Sequence, residues 1–144
     1  MNGEVTLRLL GAPRRIQGGP FNAFVPPAIG VCLERHSRLV HLADVLVDVP
    51  DFTAPTQEQL RQGLLETLRL MAAAPALPVY VGCAAGLGRT GTFIASLARL
   101  AGIDNAVAWT RAHYDLRAVE TPAQEAAVAA LDPAVVWDAY GAAI

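Results

Sequence analysis

Apolar residues along this chain follow two patterns in turn, one typical of strands and one typical of helices. Short apolar runs rich in β-branched residues occupy residues 29–33, 39–49 and 78–81, and residues 4–10 alternate weakly between apolar and polar side chains. Runs of this kind predict β-strands, and the weak alternation at residues 4–10 predicts an edge strand. Residues 14–21 include two adjacent glycines and a proline, and this composition predicts a loop.

Helical spacing replaces the strand pattern between these runs. Apolar residues on one helical face predict helices that begin near residues 56, 89, 104, 121 and 132. Thr56, Asp104 and Thr121 are the expected N-caps of the first, third and fourth helices. This order of strands and helices is typical of an α/β protein. The sequence therefore predicts one domain over residues 1–144, an α/β sandwich whose central mixed sheet is flanked by helices.

Composition excludes several classes of function. With 144 residues and a formal net charge of −2, the chain suits one domain and carries no basic stripe, so no nucleic-acid partner is expected. Charged residues interrupt each long apolar stretch, so no membrane-spanning segment and no membrane partner are expected. His36, His41 and His113 lack the spacing of metal ligands, so no metal site and no cofactor are expected.

The segment between the strand at residues 78–81 and the next helix carries the clearest chemistry. Cys83 follows the strand, Arg89 opens the helix, and the five residues between them are Ala84, Ala85, Gly86, Leu87 and Gly88. Such a loop can direct successive backbone N–H groups into one concavity at a helix N-terminus, which favours an oxyanion such as phosphate. Arg89 can bind two phosphate oxygens through its planar fork. These groups favour the thiolate of Cys83, which is a nucleophile able to form a thiophosphate.

The string from Cys83 to Thr92, with Arg89 and Thr90 at its centre, resembles the signature loop of the cysteine-dependent protein tyrosine phosphatases. The resemblance implies that Cys83 is the nucleophile, that Arg89 and the loop amides bind phosphate, and that Thr90 assists the departing sulfur. One position departs from the family, which usually has histidine immediately before the cysteine, where this chain has Gly82. The short chain, and a general acid upstream of the cysteine, resemble the small, atypical dual-specificity branch.

The general acid is sought in residues 47–56, which resemble the acid loop of the same family. Hydrolysis by a thiolate needs a proton donor for the leaving oxygen, and the same carboxyl group can later activate water. Asp51, in Pro50-Asp51-Phe52, matches the family position. Asp48 is the competitor, and its position before a Val-Pro step favours a role in a turn or cap. Phe52 could stack on an aromatic ring of a substrate, but it is expected to pack in the core.

A third segment, residues 117–125, resembles the part of small dual-specificity phosphatases that places a glutamine near the hydrolytic water. Gln124 is the matching residue. The same residues also have the pattern of a helix start, with Thr121 as N-cap, Pro122 at the first helical position, and Gln124 or Glu125 closing a capping box. The two interpretations are compatible, and both are kept.

The resemblance implies a metal-independent phosphomonoester hydrolase with a thiophosphate intermediate. The expected partners are a phosphorylated protein or a small phosphomonoester, with phosphotyrosine first and phosphoserine or phosphothreonine included. A phosphate-binding pseudophosphatase, indicated only by Gly82, is the alternative, and a sulfur- or arsenic-handling enzyme is disfavoured by the acid segment. A reduced Cys83 indicates a cytoplasmic location. Cys32 is expected in the core, and a redox role for it stays open.

Overall fold

The computed structural model describes residues 1–142, and strands within them form one mixed sheet. The strands are β1 (Gly3–Leu9), β2 (Ala12–Pro20), β3 (Ile29–Cys32), β4 (Val45–Leu46) and β5 (Val79–Cys83). Their order across the sheet is β1-β2-β5-β3-β4, with β1 and β2 antiparallel and the other neighbouring pairs parallel. The predicted mixed sheet is confirmed. The strand that ends at Cys83 lies in its centre, so the loop after it is held from both sides.

The helices of the described residues are α1 (Gln57–Ala73), α2 (Gly88–Leu100), α3 (Ala106–His113), α4 (Pro122–Ala130) and α5 (Pro133–Ala142). Thr56 and Thr121 cap α1 and α4 through complete capping boxes, as their sequence pattern predicts. Val79, Val81 and the rest of the main core pack with α1 and α2, whereas Tyr80 joins a small aromatic cluster on the opposite face of the sheet. None of these helices is long and apolar enough to cross a bilayer.

The predicted loop at residues 14–21 is wrong, because most of this segment forms β2 and pairs with strands on both sides. Tyrosine side chains on opposite faces of the sheet fill the space beside its two adjacent glycines. A Cβ atom on Gly18 would lie 2.5 Å from the Tyr114 hydroxyl oxygen, and one on Gly19 would lie 2.6 Å from the Tyr80 hydroxyl oxygen. Glycine stands at both positions because two tyrosine side chains fill the space, and it is not a sign of a turn here.

Two boundaries also differ from prediction. Residues 39–49 contain only the short strand β4 after a single turn of 3-10 helix at Val40–Leu42. The residue at the N-cap of α3 is Asn105 and not Asp104, and its side chain makes no capping hydrogen bond. Asn105 instead has φ 52°, a left-handed conformation that asparagine tolerates better than most residues.

Candidate active site

The loop after β5 folds into a cradle around Cys83. The N–H of Gly86 donates to the Cys83 sulfur at 3.2 Å, and α2 begins directly after the loop, at Gly88. Within residues 1–142, the N–H groups of Ala84, Ala85 and Leu87 donate to no other protein group. Free amides beside a helix N-terminus form a site that favours an anion. The structure thus brings the predicted nucleophile and the predicted phosphate-binding amides together.

The two glycines of the loop are needed for different reasons. Gly86 has φ 77°, a conformation that side chains rarely adopt, and a Cβ atom there would collide with the backbone of Gly19 in β2. A Cβ atom on Gly88 would collide with the carboxylate of Glu120 and lie 3.0 Å from the Gln124 amide oxygen. The loop is therefore packed against β2 on one side and against the segment before α4 on the other.

Arg89 is held in one orientation through one of its three side-chain nitrogen atoms. Its side chain is 2% exposed, and Nη1 donates to the carbonyl oxygens of Leu33 at 3.2 Å and Val49 at 2.6 Å and to Glu34 Oε1 at 3.1 Å. Nε and Nη2 are buried without a hydrogen-bond partner, although Nη2 lies 3.3 Å from Asp51 Oδ1. The unpaired edge of the guanidinium is thus available for two oxygens of a phosphate.

Glu34 is a site residue that the sequence analysis missed. It follows β3 and forms an ion pair with the buried Arg89 guanidinium. Burial opposes its ionisation, but a hydrogen bond from the His36 amide and the charge of Arg89 lower the pKa of Glu34 below its ordinary value. The sequence held one weak signal for this residue: parallel strands β3 and β5 end at the same edge of the sheet, so residues after them converge.

The two candidate acids lie in different surroundings. Asp51 approaches Arg89, and its Oδ1 accepts a hydrogen bond from the Phe52 amide at 2.9 Å. Asp48 instead pairs with Arg35 at 3.3 Å, and its backbone carbonyl accepts from the side chain of Gln59. Of the two, only Asp51 lies beside the cradle. Phe52 does not pack in the core as expected: it is 64% exposed, at φ 62°, on the outer side of the acid loop.

Gln124 lies in the first turn of α4 and is fully buried against the acid loop. Its Nε2 donates to the carbonyl of Thr53 at 3.1 Å, and its Oε1 accepts from the amides of Glu120 at 2.8 Å and Thr121 at 3.3 Å. The capping interpretation of this residue is confirmed, and the water-positioning role stays a prediction. Thr90 is buried too, and its hydroxyl oxygen has no hydrogen-bond partner among the described residues.

Packing on the other face of the sheet accounts for Gly82, at the position where the signature loop that this segment resembles usually has histidine. A Cβ atom at this position would lie 2.7 Å from Cα and 2.8 Å from the backbone nitrogen of Phe21. Phe21 begins a short 3-10 helix directly after β2, and its side chain is fully buried. A histidine therefore has no room at position 82, and the departure reflects how closely this backbone crosses the sheet.

Cys32 and Cys83 are both buried and free, but they point to opposite faces of the sheet. Cys32 pairs in register with Gly82, one residue before Cys83, and side chains alternate along a strand. Cys32 accordingly packs with Phe21 and Tyr80, and its thiol donates to the carbonyl of Glu34 at 3.1 Å. Burial raises the pKa of Cys32. The predicted core position is confirmed, and the geometry does not favour a disulfide with Cys83.

Two cavities among the described residues lie outside this site or only at its border. One cavity of about 770 Å³ lies between the C-terminal end of α2 and helices α3, α4 and α5, away from Cys83. A second, of about 560 Å³, borders the loop at Leu87 and is otherwise lined by residues 111 and 116–120. Neither of these two cavities is lined by Cys83 or Arg89.

Comparison with known proteins places this geometry in context. Residues 32–102 match the model of a family described as polymorphic toxin system, DSP-PTPase phosphatase, a span that includes Asp51, Cys83 and Arg89. The fold is similar to that of Tk-PTP in its active form, with a TM-score of 0.62 and 23% identity over 85% of this chain and 93% of that chain. A glycine-to-alanine variant of Tk-PTP gives a TM-score of 0.62 at 22% identity, over 90% of this chain and 96% of that chain.

A third solved structure is kinase associated phosphatase in which serine replaces the catalytic-site cysteine. It gives a TM-score of 0.61 at 13% identity, over 87% of this chain and 90% of that chain. At these identities the structural likeness is one of fold. No curated protein matches the sequence.

Proposed function

We propose that this chain is a dual-specificity-type cysteine phosphatase that hydrolyses phosphomonoesters with Cys83 as the nucleophile. The family model that matches residues 32–102 and the similarity in fold support this assignment. The observation that carries this proposal is the buried Arg89, whose Nε and Nη2 are unpaired beside the free amides of the Cys83 loop. Glu34 and Asp51 offset the charge of Arg89, but its buried N–H groups without an acceptor remain costly until an anion accepts hydrogen bonds from them. A phosphate group supplies that anion.

In the first step, phosphate oxygens accept hydrogen bonds from the loop amides and from Arg89. The Cys83 thiolate attacks phosphorus, so an S–P bond forms as the ester P–O bond breaks. Asp51 donates its proton to the leaving oxygen. The fixed donors of the loop stabilise the charge on the transferring phosphoryl group, and they need little reorganisation because they are already in place.

In the second step, water attacks the phosphorus of the thiophosphate and Asp51 accepts the proton. The S–P bond breaks, and phosphate and the Cys83 thiolate are released. Thr90 donates its hydroxyl hydrogen bond to the departing sulfur, a role supported by its buried oxygen without a partner. Gln124 orients the water after exchanging one of its present hydrogen bonds.

The proposed substrates are phosphoproteins, with phosphotyrosine preferred. The loop carries Ala85 and Leu87 where a polyanionic substrate would reward basic residues, so a single phosphate is favoured. Phe52, exposed beside Asp51, offers an aromatic surface at the entrance. The reaction requires a reduced thiol, which favours a reducing compartment such as the cytoplasm. A binding module without turnover is not favoured, because the packing of Phe21 accounts for Gly82.

Hydrolysis of p-nitrophenyl phosphate in excess chelator tests the proposal. Cys83→Ser is expected to abolish turnover while phosphate still binds, and Asp51→Asn to lower kcat about 100-fold, as loss of a general acid does. Asp48→Asn is the matched control, because this carboxylate pairs with Arg35, and it should leave kcat within about two-fold on the scale of surface changes. Retained turnover in Cys83→Ser would refute the mechanism.

A further inference from the structure

Tyr114 reaches the Cys83 loop through a slot in the β1–β2 hairpin. It follows the last residue of α3, and its side chain is buried against Gly3 and Gly18, which pair with each other in register. A Cβ atom on Gly18 would lie 2.5 Å from the Tyr114 hydroxyl oxygen, and one on Gly3 would lie 3.1 Å from its ring. The hydroxyl group emerges beside the loop and donates to the carbonyl of Gly86 at 2.6 Å.

Asn2 holds the neighbouring peptide of the same loop. Its Nδ2 donates to the carbonyl of Ala85 at 2.8 Å and lies 3.4 Å from that of Gly86, while its backbone N–H donates to Gly18 at 2.7 Å. Two consecutive carbonyl groups of the loop are thus held from outside by side chains more than 25 residues away from them. Neither contact belongs to the catalytic groups considered above.

Because the peptide bond is planar, these two contacts also determine the direction in which the N–H groups of Gly86 and Leu87 point. In a trans peptide the C=O of one residue and the N–H of the next point in opposite directions. A carbonyl of Ala85 held outward by Asn2 directs the N–H of Gly86 inward, and that N–H does donate to the Cys83 sulfur at 3.2 Å. By the same rule, a carbonyl of Gly86 held outward by Tyr114 directs the N–H of Leu87 inward.

We propose that Tyr114 and Asn2 are positioning residues, which fix two consecutive peptides of the loop so that the amides of Gly86 and Leu87 face the sulfur and the bound oxyanion. The inference rests on the proposed function, because it assigns those amides to phosphate. Glycine accepts either sign of φ at little cost, so Gly86 does not by itself fix the orientation of these two peptides. Without the outer contacts, the two peptides turn over and present carbonyl oxygens to an anion, which repels it.

The test compares two buried hydroxyl groups that each donate to a carbonyl. Tyr114→Phe removes the bond to Gly86, and Tyr80→Phe removes a bond of 2.7 Å to Pro20, outside the loop. Tyr114→Phe is expected to raise the Kd for inorganic phosphate, measured by titration calorimetry, and to lower kcat/KM for p-nitrophenyl phosphate, each about ten-fold, as one hydrogen bond of ordinary strength implies. Tyr80→Phe is expected to change both by less than about two-fold, with a comparable loss of stability.

Asn2→Ala provides a second variant, because Asn2 is exposed and its loss does not threaten folding. It is expected to weaken phosphate binding in the same direction as Tyr114→Phe. Unchanged phosphate binding in both Tyr114→Phe and Asn2→Ala, or an equal effect in Tyr80→Phe, would overturn the inference. If the wild type binds phosphate but does not hydrolyse esters, and the two variants bind it more weakly, then the proposed function fails while the positioning role stands.

Discussion

Replacing Gly82 by alanine tests whether packing, and not loss of activity, explains the missing histidine. The added Cβ atom would lie 2.7 Å, 2.8 Å and 2.9 Å from Cα, N and Cβ of Phe21. Carbon atoms in contact are normally about 3.5–4.0 Å apart. The strand and the Phe21 backbone must therefore separate by about 1 Å. Two of the three atoms belong to the backbone of a fully buried residue, so no side-chain rotation relieves the overlap.

The expected cost follows from the overlap. Overpacking of a buried site by one methyl group destabilises proteins by about 1–3 kcal/mol, and contact with the backbone favours the middle or upper part of this range. We expect Gly82→Ala to lower the free energy of unfolding by about 2 kcal/mol. For a chain of 144 residues this corresponds to a fall in Tm of about 7 °C. Gly82→His, with a larger side chain, is expected to cost more and to lower kcat/KM.

Urea unfolding followed by circular dichroism measures the change. Gly141→Ala is the matched control, because it lies in α5 with no atom within 4 Å of the added Cβ. It should leave stability unchanged or raise it by up to about 1 kcal/mol, as helix propensity implies. A Gly82→His variant that is as stable as the wild type and more active would refute the reasoning, since the position would then have both room and use for the family's histidine.

Two further predictions concern charge and pH. The chain has no lysine, so no lysine side chain titrates at about pH 10. Burial raises the pKa of Tyr80 from 10.0 to about 12. The stability that the neutral Tyr80 hydroxyl group contributes is therefore complete below pH 10 and is lost as pH rises towards 12. We expect the free energy of unfolding of the wild type to fall with pH in this window, and Tyr80→Phe to fall less steeply by up to about 1.4 kcal/mol per pH unit. If the urea midpoints of the wild type and of Tyr80→Phe changed by the same amount between pH 9 and pH 12, the result would contradict this prediction. Glu34→Gln should lower stability at pH 7 by about 1.5 kcal/mol through loss of a charged hydrogen bond to Arg89. Because the pKa of Glu34 is lowered by folding, its contribution is present above pH 4.5 and is lost as pH falls below it, so the two urea curves should converge in acid.

The sequence predicted those parts of the fold that depend on local pattern. Thr56 and Thr121 start their helices as expected, because a capping box is complete within four residues. The strand before Cys83 and the helix after it were also predicted, since the loop between them has a fixed length and glycine pattern. These features need no knowledge of distant contacts.

The missed features depend on partners far along the chain. Gly18 and Gly19 lie in β2, an interior strand, where Tyr114 and Tyr80 occupy their side-chain space, and a sequence window of ten residues contains neither partner. Glu34 meets Arg89 only because two parallel strands end side by side. The choice of Asp51 as the residue beside the site rested on a family resemblance. No local periodicity distinguishes Asp51 from Asp48.

The glycine pair in β2 also constrains which amino-acid replacements the protein can accept. Each glycine is matched to one tyrosine, Gly18 to Tyr114 and Gly19 to Tyr80, and the two pairs lie on opposite faces of the sheet. A residue larger than glycine fits at position 18 only if Tyr114 is replaced by a smaller residue, so substitutions at these two distant positions must occur together. A redesign of substrate preference that keeps every residue from Cys83 to Thr90 can therefore still fail through a substitution in a strand that never touches the substrate.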